Sequence, residues 1–170
     1  QLDIAVKIYK KVLSINPDFA EAHNNLGVTF QELGQHDDAV KSFQKTLTIK
    51  PDHVEAHNNL GNALYDLGQH DAAVKSFKKA LAINPDFADA YNNLGIALKE
   101  LNQLDAAVKS YEKAISIKPD HIEAHNNLGN ALNDLGQYDA AVKSYEKTLT
   151  IKPDYAEVHN NLGLALMELG

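Results

Sequence analysis

The sequence predicts an all-α protein, a right-handed α-solenoid of antiparallel helix pairs. Two observations predict it: a 34-residue period that runs through the chain, and apolar residues spaced three and four apart within each period. The period is marked by prolines, at Pro17, Pro51, Pro85, Pro119 and Pro153. It is also marked by the string Asn-Asn-Leu-Gly, at 24–27, 58–61, 92–95, 126–129 and 160–163. A helix pair of this size cannot bury its apolar face alone, so the pairs must stack.

Each period is expected to hold two helices. Counting from Ala20 as position 1, the first helix carries Leu26, Phe30 and Leu33 on one apolar stripe. The second helix carries Ala39 and Phe43 on another. The pattern predicts helices over 3–16, 19–33, 37–50, 53–67, 71–84, 87–101, 105–118, 121–135, 139–152 and 155–169.

The residues between the helices predict where each helix begins and ends. Gly34, and Asn102 at the same place two repeats later, follow first helices, where a left-handed C-cap residue belongs. Each second helix is expected to end just before its proline. Asp18 and Glu21 have the Asp-x-x-Glu spacing of a capping box, which would start the first helix. In some repeats the Pro-Asp pair is followed by two histidines, such as His53 and His57, with the i, i+4 spacing of a zinc site. Aromatic residues fill these places in other repeats, so an aromatic contact explains both positions.

Glycine recurs inside every first helix, where it costs roughly 1 kcal/mol relative to alanine. Its positions are Gly27, Gly61, Gly95, Gly129 and Gly163. Repetition of this cost indicates a close approach to a neighbouring helix. Ala39 and Phe43 are expected at the same junction.

These positions resemble the tetratricopeptide repeat over the whole chain. That family has Leu-Gly in the first helix, Ala early in the second, an aromatic residue four places later and Pro near the end, here Leu26-Gly27, Ala39, Phe43 and Pro51. We predict a single solenoid over 1–170. It would comprise a lone second helix at 1–19, full repeats at 20–53, 54–87, 88–121 and 122–155, and a lone first helix at 156–170. Because both end helices lack a polar capping partner, we expect the parent protein to be longer.

Composition argues against several classes of function. The formal net charge is −7, and all 16 basic residues are Lys, which is a poor match to the phosphates of nucleic acid. The chain has no cysteine and no apolar run long enough to span a membrane. No catalytic constellation or glycine-rich phosphate loop appears, so we expect no enzyme activity, no cofactor and no metal in this chain. A lysine stripe on the second helices, with Asp37 four residues before Lys41, is expected to be a solvated outer face.

The resemblance implies that the first helices line a concave groove that binds a peptide or partner protein. Sequence freedom concentrates there, since position 12 differs in every copy: Gln31, Tyr65, Lys99, Asn133 and Met167. An amide has donors and an acceptor, so a ladder of paired asparagines could hold a peptide main chain; it could equally bond within the scaffold. The second Asn of each pair resembles the ladder in the repeat domain of O-linked N-acetylglucosamine transferase. The candidate binding residues are Asn24, Asn25, Asn58, Asn59, Asn62, Tyr65, Asn92, Asn93, Lys99, Asn126, Asn127, Asn130, Asn133, Asn160 and Asn161.

The acidic residues at position 13 shape the expected partner. They are Glu32, Asp66, Glu100, Asp134 and Glu168. These acids favour a neutral or basic ligand and disfavour an acidic one. We therefore predict a protein-interaction scaffold. Two alternatives stay open: the substrate-recognition segment of a larger enzyme such as a glycosyltransferase, and a scaffold that assembles head to tail with copies of itself.

Overall fold

The computed structural model describes all 170 residues, as ten α-helices without a strand. The helices are α1 Leu2–Ile15, α2 Ala20–Glu32, α3 His36–Ile49, α4 Val54–Asp66, α5 His70–Ile83, α6 Ala88–Glu100, α7 Leu104–Ile117, α8 Ile122–Asp134, α9 Tyr138–Ile151 and α10 Ala156–Glu168. Every predicted helix is present, and each boundary lies one residue from its predicted place.

The chain divides into two compact units, Gln1–Pro85 with α1 to α5 and Asp86–Gly170 with α6 to α10. In each unit, every helix packs against the next one along the chain. First helices of successive repeats also contact each other, α2 with α4, α6 with α8 and α8 with α10. This stacking of helix pairs confirms the predicted all-α solenoid. The repeat boundaries, and a single solenoid over the full length, stay predictions.

The core of each repeat is a glycine covered by an aromatic ring. A Cβ added to Gly27 would lie 2.6 Å from Cε1 of Phe43, and one added to Gly129 would lie 2.5 Å from Cε1 of Tyr145. Both rings are buried, and Ala39 lies fully buried one turn before Phe43. The predicted close approach is therefore a contact between the glycine and the ring of the second helix. Gly163 differs, because nothing lies within 4 Å of its added Cβ.

Left-handed residues end the first helices, as predicted. Gly34, Gly68 and Gly136 have φ of 71°, 72° and 71°, and Asn102 has φ of 56°. Asn102 is the one residue other than glycine with positive φ, and asparagine tolerates this conformation better than most side chains. The backbone N–H of Asn102 then donates to the carbonyl of Lys99 at 2.8 Å, which satisfies one of the last carbonyls of α6.

The predicted capping boxes are wrong. The N-cap of α4 is His53, and its Nδ1 accepts a hydrogen bond from the backbone N–H of Ala56 at 3.3 Å. His121 does the same for α8, accepting from Ala124 at 3.4 Å. Because Pro and Asp of each Pro-Asp pair form a turn, the chain needs one further extended residue before the helix. That residue, and not the aspartate, becomes the cap.

A histidine at position 4 connects four of the five first helices, all except α6, to the preceding turn. The Nε2–H of His57 donates to the carbonyl of Pro51 at 2.9 Å, and His125 donates to Pro119 at the same distance. Burial lowers the pKa of His57, and the hydrogen bond to Pro51 opposes this only in part. These imidazoles thus fill the aromatic position of the family while using their polar edge.

Candidate functional site

The two members of each asparagine pair lie in different environments. Asn24, Asn58, Asn92 and Asn126 are buried. Their neighbours on the chain lie nearer the surface: Asn25 is exposed, and Asn59, Asn93, Asn127 and Asn161 are half-buried. Successive residues of a helix differ by about 100° in direction, so one member faces the interior while the next faces outward. Asn160 is exposed, on α10.

We use the name first-helix face for the surface at positions 6, 9, 12 and 13 of the first helices of a unit. In the first unit it includes the predicted residues Asn25, Asn59, Asn62 and Tyr65. In the second unit it includes Asn93, Lys99, Asn127, Asn130, Asn133 and Asn161. The buried Asn24, Asn58, Asn92 and Asn126 lie beneath this face.

Amide hydrogen bonds connect successive first helices in the second unit. Nδ2 of Asn127 on α8 donates to Oδ1 of Asn92 on α6 at 3.0 Å. Nδ2 of Asn161 on α10 donates to Oδ1 of Asn130 on α8 at 3.2 Å. Each bond uses one N–H of the donor and leaves its second N–H and its carbonyl oxygen for another partner. The alternative of bonding within the scaffold is therefore realised in part, without exhausting the amides.

Three amide oxygens are buried without a hydrogen-bond partner: Oδ1 of Asn24, Asn126 and Asn133. A buried acceptor left unpaired costs about 1–3 kcal/mol. A donor brought by a bound molecule to one of these oxygens would recover part of that free energy.

Side chains at positions 12 and 13 form hydrogen bonds and ion pairs between repeats. Nε2 of Gln31 donates to Oδ2 of Asp66 at 3.1 Å, and Nδ1 of His36 lies 3.3 Å from the same oxygen. Nζ of Lys99 lies 3.1 Å from Oδ2 of Asp134. Half-exposed contacts of this kind contribute little to stability. Of the two carboxylates, only that of Asp134 is neutralised by a cation, Lys99.

A polar cavity of about 270 Å³ opens in the second unit. Its walls are Lys99, Asn130, Asn133, Asp134, Tyr145, Asn161 and Leu164. Four of these are predicted binding residues, and the structure brings them together. The hydroxyl of Tyr145, from α9, donates to Oδ1 of Asn130 at 2.8 Å. Burial, with a smaller contribution from the Asp134 carboxylate, raises the pKa of Tyr145 to about 12, so the hydroxyl stays a donor at neutral pH.

Tyr145 is a site residue that sequence reasoning missed. It occupies position 24, which the repeat pattern assigns to the core, and its ring is 2% exposed. The sequence could have indicated this role through two positions read together. The repeat with Asn130 at position 9 has tyrosine at position 24, whereas the repeat with Asn62 at position 9 has Phe77 there.

The first unit has a larger cavity, of about 670 Å³, between α3 and α5. Half of its walls are apolar, including Leu47, Leu60 and Ile83, and half are polar, including His57 and Lys79. The 270 Å³ cavity is smaller but more polar, because six of its seven lining residues carry hydrogen-bonding side chains, against five of ten in the larger cavity. Specific recognition depends on such groups, so the first-helix face is the better candidate site.

The predicted partners of two other clusters differ in the structure. Lys41 pairs at 2.9 Å with Asp38, three residues before it, and no Asp-Lys ion pair at the predicted spacing of four residues forms on the second helices. The i, i+4 histidines have protein partners: Nε2 of His53 lies 3.2 Å from Oε2 of Glu21, and His57 bonds Pro51. No group of three or more His, Cys, Asp or Glu is arranged to hold a metal ion. No helix combines the length and apolar character needed to cross a bilayer.

Comparison with known proteins agrees with this architecture. A family model described as TPR repeat matches residues 1–34, 29–68, 61–101, 97–136 and 129–170. The chain is similar to the crystal structure of MamA, with 35% identity over 92% of this chain and 91% of that chain and a TM-score of 0.85. It shares its fold with TTC0263, a thermophilic TPR protein in Thermus thermophilus, at 23% identity, 98% and 91% coverage and a TM-score of 0.78. It also shares it with YrrB, described as a TPR protein with an unusual peptide-binding site, at 22% identity, 92% and 81% coverage and a TM-score of 0.79. Comparison with curated protein sequences gives no match.

Proposed function

Because this chain belongs to the tetratricopeptide repeat family and is a protein-interaction scaffold, we propose that its first-helix face binds a peptide segment through the ligand's main chain. The outward Asn at position 6 carries the proposal, since it recurs in every first helix as an exposed or half-buried residue. Main-chain N–H and C=O groups match these amides whatever the ligand's side chains. YrrB shares the fold and is described as having a peptide-binding site, which supports a binding role for this architecture.

The proposed role of these residues is binding and not catalysis. An amide is neither a nucleophile nor a proton donor or acceptor of useful pKa at neutral pH. We further propose a neutral or basic ligand. Exposed carboxylates such as Glu32 and Glu100 lie on or beside the face, while Lys99 offsets only Asp134.

Peptides selected from a random library against the immobilised protein give a direct test. Each selected peptide is then measured by calorimetry against a variant with Asn25, Asn59, Asn127 and Asn161 changed to Ala. We expect affinity to fall about tenfold or more, because several modest hydrogen bonds are lost together. N-methylation of alternate peptide bonds, which removes main-chain donors, should weaken the same peptides.

The matched control changes three exposed outer-face lysines, Lys75, Lys109 and Lys143, to Ala. This variant should keep the affinity. If the peptides bind the asparagine variant as tightly as the wild type, the proposed main-chain ladder is wrong. If the selected peptides are mainly acidic, the proposed charge preference is wrong.

A specific observation also favours a second function, head-to-tail assembly of copies. On α10, Leu166 is 50% exposed, whereas Leu132 at the same position of α8 is buried at 7%. In α8 that surface is covered by the following second helix, α9. The chain begins with a second helix, α1, whose Ile4 and Ile8 are exposed and which contributes no buried residue.

The repeat register specifies how the two surfaces would meet. Tyr9 of α1 is at position 24, the place of the ring that covers the glycine in other repeats. Gly163 of α10 is at position 8 and has open space above it. We therefore propose that Tyr9 of a second copy packs on Gly163. Sedimentation across a range of concentrations should show self-association that Tyr9→Glu abolishes and Tyr9→Phe retains. A wild-type chain that stays monomeric at millimolar concentration would exclude this assembly.

A further inference from the structure

The 270 Å³ cavity has hydrogen-bonding groups that are not used within the protein. Oδ1 of Asn130 accepts from Tyr145 and from Asn161, at 2.8 and 3.2 Å, so both of its lone pairs are used. Nδ2 of Asn130 is therefore left to donate. Oδ1 of Asn161 is left to accept, since that amide is engaged through its nitrogen. Oδ1 of Asn133 is a third group, a buried acceptor with no partner.

The charged pair on the wall adds no net charge. Lys99 and Asp134 lie 3.1 Å apart and neutralise each other. Leu164 adds an apolar surface beside the amides. The cavity thus offers a fixed donor, two acceptors and an aliphatic wall, in a volume below that of a pocket for a whole drug-sized molecule. This suits one polar, uncharged side chain.

This arrangement is specific to one repeat. Asn62, the equivalent of Asn130 in the first unit, has Phe77 at position 24 and so lacks the hydroxyl that orients the amide. Ile96, the equivalent in the repeat before Asn130, has no amide, although Tyr111 is at position 24. Only the combination of Asn130 and Tyr145 supplies both an amide and the hydroxyl that fixes its orientation.

We propose that this cavity is a specificity subsite for a carboxamide side chain, glutamine or asparagine, of the bound peptide, and that Tyr145 is its positioning residue. The inference rests on the proposed peptide-binding function. A carboxamide oxygen accepts from Nδ2 of Asn130, and its NH₂ group donates to Oδ1 of Asn133 and Asn161. A carboxylate has no donor for these oxygens, and an ammonium has no acceptor for the Asn130 N–H. The methylenes of a glutamine lie against Leu164.

The test uses four small probes that share the same main-chain amides: the N-acetyl, N-methylamide forms of glutamine, glutamate, lysine and norvaline. Each is titrated into isotope-labelled protein while the side-chain NH₂ signals of Asn130, Asn133 and Asn161 are followed by NMR. The glutamine probe should shift these signals saturably and the other three should not. Tyr145→Phe should weaken the glutamine probe about fivefold, the effect of losing one orienting hydrogen bond.

Tyr111→Phe is the matched control, because it removes the same atom from a repeat whose position 9 is Ile96. It should leave the affinity for the glutamine probe unchanged. Tyr145→Phe is expected to fold, since Phe43 and Phe77 cover the equivalent glycines, and its backbone spectrum checks this. Equal shifts from all four probes, no shift from glutamine, or an unchanged affinity in Tyr145→Phe would each overturn the subsite. If library peptides still depend on Asn25 and Asn59 in that event, the proposed function stands and this inference alone falls.

Discussion

The contact between glycine and ring can be measured by comparing Gly27→Ala with Gly163→Ala. Both glycines lie at position 8 of a first helix, so both substitutions gain the same helix propensity, about 1 kcal/mol. They differ in what the new methyl group meets. At Gly27 it would lie 2.6 Å from the Phe43 ring, about 0.9 Å closer than normal carbon contact, and at Gly163 it meets nothing within 4 Å.

The expected difference in stability follows from that overlap. Phe43 is fully buried and cannot turn away, so Gly27→Ala incurs overpacking of about 1–3 kcal/mol. Because the gain in helix propensity is the same in both variants, the difference between their free energies of unfolding measures the overpacking against Phe43. Gly163→Ala should be more stable than the wild type by up to about 1 kcal/mol. Gly27→Ala should be neutral or less stable, and the two should melt several degrees apart.

Thermal and urea unfolding followed by circular dichroism give the comparison, at micromolar concentration so that association does not contribute. Urea slopes are compared as well, since a changed slope would mean that the unfolding reaction itself has changed. Gly27→Ala combined with Phe43→Leu should recover stability relative to the sum of the single changes, since the smaller side chain makes room. If Gly27→Ala melts at or above Gly163→Ala, the ring contact does not explain the recurrent glycine.

Three further predictions concern single side chains. His53→Ala should destabilise the chain by about 1 kcal/mol in urea unfolding because the hydrogen bond to Ala56 is lost, and His53→Asn, a better cap, should restore it. Burial lowers the pKa of His57 below 6.5, the ordinary histidine value. The contribution of His57 to stability is therefore present above pH 6.5 and is lost as the pH falls through the lowered pKa. His57→Tyr should reduce that loss in thermal melts between about pH 7 and pH 4.5. The pKa of Tyr145 is raised from 10.0 to about 12, so its contribution is complete below pH 10 and is lost as the pH rises to about 12. Tyr145→Phe should therefore lose less stability than the wild type over that range, and ultraviolet titration of the wild type should show one phenol that ionises late.

The fold was predictable because one period fixes many residues at once. Helix ends at Gly34 and Asn102 follow from backbone preference, which acts locally and is visible in the sequence. The cap of α4 was predicted wrongly because Asp52 and Glu55 have the spacing of a capping box, although Asp52 belongs to the preceding turn. Only the turn at the Pro-Asp pair decides that His53 is the cap.

The candidate site was predictable by helix and face, and less so by residue. The sequence makes both Asn24 and Asn25 candidates, yet they differ by about 100° in direction around α2, and packing of the neighbouring helices buries Asn24 and leaves Asn25 exposed. The role of Tyr145 depends on a hydrogen bond between residues on different helices. Comparison of repeats one position at a time does not reveal such a pairing.

The packing pattern also determines where the molecule opens first. In either unit, no helix contacts another more than two places away along the chain. α1 contacts only α2 and has no fully buried residue, so it is held by packing on one side alone. Openings should therefore begin there by fraying, and amide hydrogens of α1 should exchange with solvent well before those of α3 or α8. A partner that covers α1 would slow that exchange, so a protection map would report binding at this end before any ligand is identified.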